Sequence, residues 1–217
     1  MKVSALGGIV AGAARFISGV QASWRDGAPQ LRQSVFFANH TSHLDFVVLW
    51  ATLPADIRAR TRPVAAQDYW DRGLRRALAV NVFNAVLVPR SGEDRARESR
   101  ARSTIDRIAA EMGDEYSLII FPEGTRGTGE SVAPFKSGLY HLCLKKPGLQ
   151  LVPAFIENLN RVLPKGQFLP VPLISRITFG APASFDPLEP KPVSYTHLDV
   201  YKRQMPHCVR SIVTFAP

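Results

Sequence analysis

Ser34-Val-Phe-Phe-Ala-Asn-His-Thr-Ser-His-Leu-Asp-Phe-Val-Val-Leu-Trp-Ala-Thr-Leu53 decides the fold. Its first five residues are a short apolar run, the mark of a strand buried on both faces. Leu44 to Leu53 then suits a helix, with Ser42 as its cap. Ser42 and Asp45 together have the S-x-x-[DE] form of a capping box, in which the carboxylate reaches back to an orphan amide. A buried strand turning directly into a helix is half of an α/β unit, and the pattern recurs along the chain. Strands are expected at Arg62–Ala66, Ala85–Val88, Leu118–Phe121, Leu149–Ile156 and Ile174–Gly180. Helices are expected at Tyr69–Val82, Glu93–Met112 and Ser137–Lys145, the second with Ile105, Ile108, Ala109 and Met112 at helical spacing. Such alternation predicts a single-domain α/β layered sandwich, a mixed central sheet flanked by helices.

Composition narrows the partners. The 217 residues carry 27 Lys or Arg against 18 Asp or Glu, a net charge of +9. That surplus favours anionic partners: nucleic acid, anionic lipid or a phosphorylated substrate. The cysteines, Cys143 and Cys208, stand far apart with no CxxC partner, which excludes a zinc ribbon or a thioredoxin-type site. Val3 to Val20 is apolar but short for a membrane span and holds Arg15. A signal peptide would need a small-x-small cleavage site, and none follows. The segment is therefore expected as an amphipathic helix lying on the membrane surface or docked on the domain.

Two motifs stand at strand exits, where α/β folds gather ligands. In Asn39-His-Thr-Ser-His-Leu-Asp45, capping accounts for Ser42 and partly for Asp45, but not for His40. A carboxylate five residues on can swing toward the His40 ring, fix its tautomer and balance its charge. His43 competes for the same task, but at the first helical turn it is expected to point away. In Phe121-Pro-Glu-Gly-Thr-Arg126, Pro122 ends the strand, Gly124 permits a tight turn, and Arg126 offers a fork suited to phosphate. Leu87-Val-Pro-Arg90 delivers a second arginine to the same edge.

His40 and Asp45 in H-x4-D spacing, followed by FPEGTR at 121–126, resemble the glycerolipid acyltransferase family that includes the 1-acyl-glycerol-3-phosphate acyltransferases. The resemblance covers about residues 34–180, including Phe135-Lys-Ser-Gly138 and Thr178-Phe-Gly-Ala-Pro182. It implies that His40 is a catalytic base and Asp45 its orienting partner. It also implies that Arg90, Glu123, Gly124, Thr125, Arg126 and Pro153 contribute to substrate binding. Asn84 stands where the second motif usually has glycine, and Ala154-Phe-Ile-Glu157 departs from the usual apolar continuation of the fourth. The implied reaction moves a fatty acyl group from acyl-CoA or acyl carrier protein to the hydroxyl of a lysophospholipid, 1-acyl-glycerol-3-phosphate foremost. It calls for no metal and no cofactor. Partners are then the acyl donor, the lysophospholipid and an anionic membrane surface, with no nucleic acid, at the cytoplasmic side of the inner (plasma) membrane.

Two other classes compete. A hydrolase built on Ser42 or Ser91 with His40 and Asp45 lacks a G-x-S-x-G elbow. A basic nucleic-acid or membrane binder leaves His40, Asp45 and Glu123 unexplained, and its basic residues lack interleaved aromatics. Val193 to Gln204 resembles the translated read-through of a transposase sequencing adapter. Residues 193–217 are therefore expected to be non-native, so His197, His207 and Cys208 carry no functional weight. The expected division is 1–28 interfacial helix, 29–192 acyltransferase domain and 193–217 foreign tail.

Overall fold

An apolar pentapeptide forms a strand that water never reaches: Ser34–Ala38 is buried at all five positions. The computed structural model describes residues 5–25, 30–89, 97–127, 132–162 and 174–185. Helix α1 (Ala5–Ser18) leads into strand β1 (Gln21–Trp24) and then β2 (Ser34–Ala38). Helices α2 (Asp45–Thr52) and α3 (Ala55–Ala59) precede β3 (Thr61–Ala66). Next come α4 (Gln67–Trp70), α5 (Gly73–Asn81), β4 (Val86–Val88), α6 (Arg97–Met112) and β5 (Ser117–Ile120). The chain continues through α7 (Gly138–Lys145), β6 (Gln150–Glu157), α8 (Leu159–Val162), β7 (Arg176–Phe179) and β8 (Ala183–Ser184).

The strands form one eight-stranded sheet in the order β1-β7-β6-β2-β5-β3-β4, with β8 paired to β6. Pairing is parallel except where β7 and β8 run antiparallel to β6. β2 lies between β5 and β6, so its exit is central. Alternate side chains of β2 feed two cores. Phe36 and Ala38 join α1, α2 and α8 side chains on one face, with Leu49, Trp50 and Leu159 among them. Val35 and Phe37 pack on the other face against Ile108 and Met112 of α6 and Leu139, Leu142 and Cys143 of α7. The result is helices on both faces of one sheet in a single domain. Burial pushes the Cys143 thiol up to about 12, leaving it an inert packing residue.

The N-terminal helix is docked. Its small residues Gly7, Ala11 and Ser18 are buried, which lets α1 approach α2 closely. Arg15 Nε donates to the Ala51 carbonyl at 2.6 Å, and Arg58 Nη1 donates to the Ala51 and Leu53 carbonyls. Two arginines thus serve the C-terminal carbonyls of α2, where a helix favours cations. Leu6, Ile9, Phe16 and Ile17 remain exposed along α1. Among the described residues no helix is long and apolar enough to cross a membrane.

Several expectations need correction. The helix expected over 69–82 is two helices, α4 and α5, broken at Asp71–Arg72. Gly73 opens α5 at φ +52°, a left-handed backbone that L side chains resist. Only half of the capping box forms: the Asp45 carboxylate accepts from the Ser42 amide at 2.8 Å. Ser42 Oγ instead accepts from Leu44 N, and Leu44 begins the helix with no side-chain cap. Strands β1 and β8 were not anticipated. β1 pairs in parallel with β7, and Trp24 stacks on Phe179 with centroids 3.7 Å apart. Asn84, in place of the usual glycine, adopts φ +47°, a conformation that asparagine tolerates better than most residues. Arg62 Nε binds its carbonyl at 2.7 Å. Arg90, Ser91, residues 93–96, Cys208 and the tail from 193 lie outside the described residues.

Candidate active site

The exits of β2 and β5, parallel neighbours, bring the two motifs to one corner. Beyond β2, Asn39 extends the strand with its side chain. Its Nδ2 donates to the Ile156 carbonyl at 2.9 Å, and its Oδ1 accepts from the Ile156 amide at 2.8 Å. An amide side chain that copies a backbone pair holds the next residue, His40, against β6.

His40 Nδ1 lies 2.8 Å from Asp45 Oδ2. The same oxygen accepts from Thr41 N at 2.6 Å and Ser42 N at 2.8 Å. Asp45 is fully buried, whereas the His40 side chain is 23% exposed. A carboxylate accepting from Nδ1–H leaves the Nε2 lone pair available for a proton. Phe121 stacks on the imidazole at 4.4 Å and limits its rotation. Asp45 Oδ1 has no hydrogen-bond partner among the described residues.

The FPEGTR turn is sewn to the His40 loop by backbone bonds. Gly127 N donates to the His40 carbonyl at 2.8 Å. Glu123, 3% exposed, accepts from His40 N at 2.7 Å through Oε1 and from Ala133 N at 2.9 Å through Oε2. Burial raises the Glu123 carboxyl above its usual range, against the pull of those two amides. With both oxygens engaged, Glu123 is a tie between loops. Gly124 turns at φ +70°, and the Lys136 side chain lies where a Cβ would stand. Lys136 N in turn binds the Pro122 carbonyl at 2.9 Å.

At the rim, Arg126 is exposed and its Nη1 contacts His43 Nε2. His43 thus turns into the site, contrary to the expectation that it points away. Its ring stacks on Tyr69 at 4.8 Å, and the Arg75 guanidinium lies 4.5 Å from the Tyr69 ring centre. Burial first, then Arg126, His40 and Arg75, lower the His43 pKa, while Asp45 acts in the opposite sense. Thr125 is exposed beside Arg126. Pro153 is elsewhere, buried within β6 opposite Phe37, where its carbonyl accepts from Gly180 N at 2.8 Å. Sequence reasoning gave no role to Asn39, Tyr69, Arg75 or Lys136. The signal for Tyr69 and Arg75 is faint: arginines at 72, 75 and 76 follow the tyrosine in sequence. Among the described residues no group of three or more His, Cys, Asp or Glu side chains is placed to hold a metal ion.

A mostly parallel sheet with a His–Asp pair and an arginine at adjacent strand exits defines an α/β enzyme-type corner. A family model described as Acyltransferase matches residues 20–157. The chain belongs to that family. Among its relatives is a 1-acyl-sn-glycerol-3-phosphate acyltransferase of Haemophilus influenzae, 27% identical over 149 residues, 61% of this chain and 53% of that protein. Another, from Limnanthes douglasii, is 26% identical over 209 residues, 92% of this chain and 69% of that protein. The chain therefore spans about half of the Haemophilus relative's length. The crystal structure of the 1-acyl-sn-glycerophosphate (LPA) acyltransferase PlsC from Thermotoga maritima shares the fold. The TM-score is 0.65 at 18% identity, over 96% of this chain and 82% of that one.

Proposed function

We propose that this protein transfers a fatty acyl group from acyl-CoA or acyl carrier protein to the hydroxyl of 1-acyl-glycerol-3-phosphate. The observation that carries the reading is His40, clamped through Nδ1 on buried Asp45 while Nε2 has no hydrogen-bond partner among the described residues. Nε2 removes the hydroxyl proton as the oxygen attacks the thioester carbonyl. The C–O bond forms, the C–S bond breaks, and the departing thiolate takes the proton back from the imidazolium. Asp45 balances the charge on the ring in between. No serine or cysteine nucleophile enters the scheme. Arg126 grips the acceptor phosphate with its remaining donors, as a guanidinium fork suits. Arg90 is proposed as a second phosphate ligand. Glu123 and Gly124 shape the turn that presents Arg126, Thr125 lies beside it, and Pro153 holds the strand behind the corner.

The exposed apolar side chains Leu6, Ile9, Phe16 and Ile17 support seating of α1 in an anionic bilayer surface, helped by the net charge of +9. The proposed location is the cytoplasmic face of the inner membrane, where acceptor and product reside. The test incubates the protein, or His40→Ala, with oleoyl-CoA and lysophosphatidate and follows phosphatidate by mass spectrometry. Product is expected with the parent protein and a rate lower by at least about 10²-fold with the variant. Undiminished product with His40→Ala removes His40 from the chemistry. No product from the folded parent protein, with oleoyl-CoA or with oleoyl-acyl carrier protein as donor, removes lysophosphatidate as acceptor.

A further inference from the structure

We propose that His43 is a positioning residue whose neutral imidazole holds Arg126 at the mouth of the site, so that protonation of His43 weakens acceptor binding. The inference rests on reading Arg126 as the phosphate ligand. It begins from a constraint of valence. A guanidinium only donates hydrogen bonds, so the contact of Arg126 Nη1 with His43 Nε2 requires Nε2 to be unprotonated. His43 is thereby fixed as its Nδ1–H tautomer. Using one of five guanidinium N–H groups leaves four for an anion.

The backbone makes the meeting possible. Gly127 N bonds the His40 carbonyl, which folds Arg126 back over the loop that carries His43. Tyr69 of α4 stacks on the imidazole and fixes its plane, and Arg75 of α5 lies over the Tyr69 ring. A free arginine side chain loses much rotamer entropy when a ligand orders it. A tether that orders it beforehand spares much of that loss at binding.

Around His43 stand Arg126 from the turn after β5, Arg75 from α5, His40 from the exit of β2 and Asp45 at the start of α2. Of these four, Arg126 and Arg75 are cations, and Asp45 is an anion already engaged by His40. Protonation of His43 would turn Nε2 from acceptor into donor and set a charge against the guanidinium. Arg126 would then swing away into solvent, where its exposure allows it to go.

The protein is assayed with saturating oleoyl-CoA and varied lysophosphatidate across the acid range. His43→Ala is expected to raise the acceptor KM about tenfold at neutral pH, the size of one hydrogen bond to a charged group, with a smaller effect on kcat. His43→Gln keeps an acceptor oxygen without a titrating group and should restore KM. The parent KM should climb below the ordinary histidine midpoint of about 6.5, whereas that of His43→Gln stays level. An unchanged KM in His43→Ala, or parallel KM profiles in parent and His43→Gln, overturns the proposal.

Histidine-selective 15N NMR gives a readout apart from activity. His43 should show an unprotonated Nε2 at neutral pH, and Arg126→Gln should raise its titration midpoint. An unmoved midpoint overturns the coupling. If lysophosphatidate gives no product with either acyl donor, the acceptor reading fails while this titration still decides whether His43 and Arg126 act together.

Discussion

The two halves of the site are held by different means. At the buried corner, Asp45 Oδ2 and both oxygens of Glu123 accept from backbone amides, at 2.6 to 2.9 Å. At the rim, Arg126, His43, Tyr69 and Arg75 hold one another by a side-chain hydrogen bond and by stacking. Backbone amides move only when strands and loops move, so the corner is rigid. The rim is tied side chain to side chain, with Arg126 and Arg75 exposed, so it can let go without moving a strand or a loop. The division suits a reaction in which proton transfer needs fixed geometry while a headgroup must enter and leave. A corner substitution should therefore act on turnover or folding, and a rim substitution on acceptor affinity.

The largest expected effect lies at Asp45. Asp45→Asn keeps the size of the side chain but removes the charge that steadies the His40 imidazolium and the tautomer it sets. We expect kcat to fall about 10²-fold with acceptor KM changed little, read from initial rates; an equal change in KM would erase the division. Next comes Glu123→Ala, which strands the amides of His40 and Ala133. A loss of about 3 kcal/mol in urea unfolding is expected for two unsatisfied donors. Because burial raises the Glu123 pKa, its carboxyl contributes most stability below its ordinary value of 4.5. That contribution is lost as pH rises through the raised midpoint, and Glu123→Ala should abolish this slope. The smallest effect is at the rim. Arg126→Lys retains the charge but not the fork, and should raise acceptor KM about tenfold while leaving the unfolding midpoint in place.

How much of this was legible beforehand follows the same division. The run at 34–38 announced a buried strand because every one of its side chains is apolar or small, and all five are buried. His40 and Asp45 were legible because five residues across a strand-to-helix turn bring the side chains together without help from elsewhere. Glu123 was legible as a motif residue but not as a tie, since its partners His40 and Ala133 lie outside that motif. The direction of His43 was misjudged because Arg126, 83 residues on, decides it. The break within 69–82 was missed because Gly73 reads as a tolerated helix glycine until its φ is known. Strand β1 hid for a similar reason: Gln21, Ala22 and Ser23 are exposed, and the strand exists through pairing with β7. Asn84 shows the opposite case: where the resemblance leads one to expect glycine, asparagine stands and still takes a left-handed backbone at φ +47°.

The most direct test of the central claim is a pair of acceptor saturation curves, for His40→Ala and Arg126→Lys, measured beside the parent protein with oleoyl-CoA held saturating. His40→Ala is expected to lower kcat by at least about 10²-fold at near-parental KM, and Arg126→Lys to raise KM about tenfold at near-parental kcat. A His40→Ala enzyme that turns over at the parental rate, or an Arg126→Lys enzyme with parental KM and reduced kcat, would contradict that claim.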